Sequence, residues 1–121
     1  MMTRWVLLAG VVEYPIAKEV SKIFNDGAKI MKMSEFVVTN YGDERQIQRV
    51  ISEIDRSFTQ WMAEYQDGDE VYVALVGGNL QLSMLLKRLE RHNIDYSWLI
   101  YEKKLKRYVV IKERDGDVWI R

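Results

Sequence analysis

Six consecutive residues, Val71-Tyr72-Val73-Ala74-Leu75-Val76, carry no charged side chain, and Gly77-Gly78-Asn79 follows them at once. A strand with one face in water would alternate apolar and polar residues; this one does not, so it is expected to be buried on both faces. After the glycines, Leu82, Leu85, Leu86 and Leu89 recur at helical spacing, with Arg88, Glu90 and Arg91 on the opposite side. Strand, glycine turn and helix in that order make a βα unit, which needs parallel neighbours and covering layers.

The same grammar appears on either side. The apolar run Trp5 to Val12 reads as a first strand, Pro15 suits the first turn of a helix, and Ile16, Val20, Ile23 and Phe24 share one face until Asn25-Asp26-Gly27 ends it. Glu35 to Thr39 reads as a second short strand and Asn40 to Asp43 as the loop that follows. Ile47, Val50, Ile51, Ile54, Phe58, Trp61, Met62 and Tyr65 hold the helical period until Asp67-Gly68-Asp69. Beyond the glycine unit, Tyr96 to Tyr101, Tyr108 to Ile111 and Val118 to Ile120 are β-rich and too closely spaced for crossover helices, so they are expected to pair antiparallel. The pattern predicts one α/β domain over residues 1–121. It is Rossmann-like, with a mainly parallel sheet, helices on both faces and an antiparallel C-terminal extension.

Charge and composition narrow the chemistry. Basic and acidic residues balance at 18 each, so the general attraction that duplex nucleic-acid binders use is missing and any anion site must be local. There is no cysteine and one histidine, which excludes disulfides and thiolate chemistry and makes a catalytic triad or histidine-based metal centre a poor expectation. No G-x-G-x-x-G, P-loop, H-E-x-x-H or calcium loop occurs, and the Asp-Gly-Asp pairs at 67–69 and 115–117 read as turns. No metal and no cofactor are expected. No apolar stretch reaches the roughly 20 residues of a membrane span. The N-terminal run leads into Glu13-Tyr14-Pro15 with no small-residue cleavage site, so the expected compartment is the cytoplasm.

Gly77, Gly78 and Asn79 are the strongest local signal for binding. Glycines after a buried strand admit a ligand to the backbone, and the N–H groups of the next helix attract an anion. The plainer reading is a tight turn capped by Asn79. Strand-end convergence adds Glu13 and Tyr14 after the first strand and Asn40 and Tyr41 after the second, where the two tyrosines can stack on a base or simply cover a sheet edge. Lys103 and Lys104 concentrate positive charge at a hairpin tip, either for phosphate or as solvated charge. His92, at the end of the third helix, suits the dipole there and is expected to be structural.

Two stretches carry a resemblance. The first strand running into Glu13 and Pro15, and an apolar strand ending in Gly77-Gly78-Asn79 with Ser83 four residues after Asn79, resemble the CARF (CRISPR-associated Rossmann fold) domains of type III CRISPR defence. The resemblance implies a homodimer that binds cyclic oligoadenylate across its two-fold, with slow metal-independent ring cleavage in some members. It implies ligand contacts from Glu13, Tyr14, Gly77, Gly78, Asn79 and Ser83; in a binder of this kind Asn40 or Ser83 is expected to position a ribose hydroxyl and Lys103 or Lys104 to cover the ligand. Asn79-Leu80 departs from the frequent Thr-Lys, so a basic residue is missing beside the phosphates. Catalytic residues are not identifiable. The competing reading is a protein-interaction module on the same scaffold, such as a defence or anti-defence regulator.

Overall fold

The computed structural model describes residues 2–12, 15–25 and 27–121. Along the first strand, β1 (Arg4–Leu8), Trp5 and Leu7 enter one core while Val6 and Leu8 enter another. A strand that feeds two cores has no polar face, which is why its sequence does not alternate. The chain continues through α1 (Ile16–Ile23), β2 (Lys29–Lys32), α2 (Glu44–Glu64), β3 (Glu70–Ala74), α3 (Asn79–Arg91), β4 (Ser97–Glu102), β5 (Arg107–Arg114) and β6 (Asp117–Ile120). The result is an α/β fold with a six-stranded mixed sheet and three helices.

The strand order is β2-β1-β3-β4-β5-β6. β1 pairs parallel with β2 and β3, and β3 with β4; β4–β5 and β5–β6 are antiparallel. The antiparallel C-terminal extension expected from the close spacing of those segments is present. α1 covers one face, where Ile16, Val20 and Phe24 meet Val6, Leu8, Leu99 and Tyr108. α2 and α3 cover the other, where Val50, Ile54, Phe58, Leu85 and Leu89 meet Trp5, Leu7, Val71 and Val73. Trp61 anchors this second core: its ring meets Trp5 edge-on at 6.1 Å and lies 5.5 Å from Phe58, contacts in the range favourable for aromatic pairs.

The predicted strand over Glu35 to Thr39 is not formed. Its place beside β1 is taken by Lys29–Lys32, whose two central apolar residues are too few to show a period. After Met33 donates its N–H to the Leu8 carbonyl at 2.8 Å, the chain leaves the sheet. Its donors are met by α2 instead: Glu35 N–H bonds Glu53 Oε1 at 3.0 Å, and Thr39 and Asn40 N–H bond Gln46 Oε1 at 2.8 and 3.1 Å. Backbone groups satisfied in this way need no partner strand. Phe36 and Val38 still pack on the core, which explains the strand-like alternation.

Two boundaries also shift. β1 ends at Leu8, short of the predicted Val12, and β3 ends at Ala74, where the Val76 N–H turns back on the Ala74 carbonyl at 2.8 Å. Asp43 caps α2 through its side chain, which accepts from the Arg45 N–H at 3.0 Å. Among the described residues, no helix is long and apolar enough to cross a membrane.

Candidate functional site

At the carboxyl end of β3, Gly77 has φ +92°, a conformation glycine adopts without steric cost. A β-carbon there would lie 2.8 Å from the nitrogen of Gly10, so the loops after β1 and β3 touch backbone to backbone. Gly78 differs: it has φ −72° and ψ 144° and is the N-cap of α3, with no side-chain cap. Asn79, expected to be the cap, is the first helical residue, so its side chain is one position too late. The first intrahelical bond runs from the Leu82 N–H to the Gly78 carbonyl. The N–H groups of Asn79, Leu80 and Gln81 consequently have no intrahelical acceptor, and the first turn holds no acidic residue.

Gln81 is a second component of this end, and the sequence reading passed over it. It shares the inward stripe of α3 with Leu85 and Leu89, and a polar residue in that stripe was the available signal. Its side chain is buried, with Nε2 donating to the Phe36 carbonyl at 3.4 Å and Oε1 without a hydrogen-bond partner. Oε1 lies against Gly78, where a β-carbon would collide with it. Gly10 was likewise hidden, inside an apolar run.

Of the other predicted contacts, Ser83 is exposed one turn into α3, while Lys103 and Lys104 are exposed in the β4–β5 turn. Because β4 is parallel to β3, that turn lies at the same end of the sheet. β4 continues from Leu99, the partner of Ala74, to Glu102, which carries the turn roughly 10 Å beyond the end of β3. Asn40 and Tyr41 lie in the loop before α2. Asn40 is committed to that loop, its Oδ1 accepting from the Gly42 N–H at 2.9 Å, while Tyr41 stands exposed. Glu13 and Tyr14 lie outside the described residues.

The opposite end of the sheet holds a cavity of about 640 Å³, bordered by Tyr65, Tyr72, Tyr96 and Trp119, with Lys112, Arg114 and Arg121 along one side. Two of its carboxylates, Asp69 and Glu70, already serve the fold. Asp69 accepts from the Thr3 and Gln66 N–H groups and from Trp5 Nε1, at 2.9, 3.0 and 3.1 Å. Burial pushes its carboxyl up, but these donors outweigh it and hold the group below the usual carboxylate range. Glu70 behaves alike, with burial opposed by Arg4 and the Tyr72 hydroxyl. Tyr72 is pushed up to about 12, by burial first and then by Glu70. It is therefore a neutral hydrogen-bond donor at physiological pH.

His92 is the C-cap of α3 and packs against Phe58 with ring centroids 5.4 Å apart, the structural position expected of it. Among the described residues, no group of three His, Asp or Glu side chains is placed to hold a metal ion. No family model matches the chain, and comparison with curated proteins and with solved structures yields no match.

Proposed function

We propose that the chain is a Rossmann-like binding domain for a phosphate-bearing nucleotide, of the cyclic oligonucleotide class that its sequence resemblance implies, held at the carboxyl ends of β1, β3 and β4. The observation that carries this reading is the unguarded N-terminus of α3: three N–H groups with no intrahelical acceptor, no side-chain cap and no acid in the first turn. Such a terminus attracts an anion through its free donors and its dipole. Lys103 and Lys104 at the same sheet end add charge suited to phosphate. Gln81, in the first turn of the same helix, adds a buried Oε1 packed against Gly78 whose hydrogen-bonding capacity the protein leaves unmet.

Thermal melting with cyclic oligoadenylates, linear oligoadenylates and inorganic phosphate tests the reading. Ligand at about 100 times its dissociation constant stabilises a fold by about 2.7 kcal/mol. The expected result is a shift with an oligonucleotide that exceeds the shift with phosphate alone. If none of these compounds raises the melting temperature, the reading fails. The second reading, a protein-interaction module, is favoured by a different observation, the exposed apolar strand β6.

A further inference from the structure

The two edges of the sheet are built differently. β2, at one edge, has Lys29 and Lys32 at its ends, the kind of charge that discourages pairing with another chain. β6, at the other, is Asp117-Val118-Trp119-Ile120, exposed throughout and without lysine or proline. Val118, Trp119 and Ile120 are 59%, 49% and 69% exposed. Three adjacent large apolar side chains on an open edge invite a partner strand.

The ladder shows which backbone groups that partner would meet. Arg121 and Val110 exchange both hydrogen bonds at 3.0 Å. Hydrogen-bonded pairs recur at every second residue of an antiparallel ladder, so Trp119–Lys112 and Asp117–Arg114 are of the same kind. Val118 and Ile120 therefore direct their N–H and C=O groups away from β5, out of the sheet.

We infer that a second copy of this chain covers β6, antiparallel and two-fold, with Trp119 on the axis. In that register Val118 of each copy opposes Ile120 of the other, and their outward backbone groups meet as hydrogen-bonded pairs. Asp117 of each copy then opposes Arg121 of the other, and opposite charges facing across strands favour the pairing. Neither residue has an ion pair among the described residues of the single chain. Centring on Val118 or Ile120 keeps the backbone parity, but it sets Trp119 against Asp117 or Arg121 and loses the Asp117–Arg121 pairs. The strand is self-complementary in backbone, apolar surface and charge in one register.

This pairing has a consequence for the ligand. It joins the two sheets edge to edge and makes the β3 strands of the two copies antiparallel, so their Gly77 loops lie at opposite ends of the combined sheet. Laterally the two β3 strands are seven strand spacings apart, roughly 34 Å. Each copy binds its own ligand, and the pairing stands whether or not the ligand reading does.

Sedimentation of the full chain over a concentration series, without ligand, tests the inference. The wild type should show a monomer–dimer equilibrium. Asp117→Arg leaves two arginines at the mated positions and Arg121→Asp leaves two aspartates, so each variant alone should dimerise at least tenfold more weakly. Mixing the two variants restores complementary charges at both ends and should restore the dimer. Ile120→Lys should abolish it, with an unchanged circular dichroism spectrum showing that the exposed substitution leaves the fold intact. A wild type that stays monomeric throughout, single variants that dimerise like the wild type, or a mixture that remains monomeric would each overturn the inference.

Discussion

Gly77 rests against Gly10 with no room for a side chain between them: a β-carbon on Gly77 would lie 2.8 Å from the Gly10 nitrogen, and Gly77 itself has φ +92°. Both constraints act against Gly77→Ala, which should lose on the order of 2 kcal/mol of stability. Gly78→Ala meets only the movable end of Gln81 at an ordinary φ, and should lose less. Urea unfolding of the two variants checks the order, and a smaller loss at Gly77 would contradict the loop contact. A bulky residue at Gly78 is consequently a poor probe of ligand approach, because it displaces Gln81 first.

The ligand site is better tested by charge at the start of α3. Asn79 is exposed at the first helical position, so Asn79→Asp places a negative charge where the helix dipole favours it, worth about 0.3–1 kcal/mol. The same charge repels an anionic ligand. The variant should melt at or above the wild-type temperature, yet lose at least tenfold in oligonucleotide affinity by isothermal titration calorimetry. Unchanged affinity would move the site away from this helix.

Val73 is fully buried in β3, with Leu7 of β1 and Trp98 of β4 as its neighbours in register. An unpaired carboxylate at that position costs several kcal/mol, a large share of the roughly 5–15 kcal/mol that holds a domain together. Val73→Asp should abolish the cooperative melting transition seen by near-ultraviolet circular dichroism. Retention of that transition at the wild-type temperature would be incompatible with this core.

Acid should loosen the N-terminal ends of β1 and β3. Asp69 and Glu70 are held below their ordinary range in the folded chain: burial opposes this, but hydrogen bonds from Thr3, Trp5 and Gln66 to Asp69, and from Arg4 and Tyr72 to Glu70, prevail. A depressed folded value means that the unfolded state binds protons first. Their contribution is complete well above the unfolded carboxylate range near pH 4, and it is lost as pH falls through and below that range. Urea midpoints measured from neutral pH to pH 3 should fall. They should fall less steeply in Asp69→Asn, and an identical pH slope in that variant would argue against the role given to Asp69.

Periodicity made much of this architecture legible in the sequence. The unbroken apolar runs around Val6 and Val73 belong to strands that feed two cores, and the long stripe from Ile47 to Tyr65 is the buried face of α2. The close spacing after Tyr96 required hairpins, and β4, β5 and β6 form them. These features are local, since side-chain direction follows residue count along one element. Tertiary structure decided the rest, because it depends on which groups meet across the chain. Glu35 to Thr39 looks like a strand yet spends its backbone donors on Glu53 and Gln46, leaving the sheet position to Lys29–Lys32. The large aromatic side chains also divide only in three dimensions: Trp61 and Tyr108 are consumed by the cores, whereas Trp119 remains on an open edge. At the candidate site Gly77 and Gly78 were visible as a motif and Gln81 only as a polar residue on the leucine stripe of α3, but the backbone contact of Gly10 with Gly77 and the placement of the Gln81 amide over Gly78 join distant groups and leave no period in the sequence.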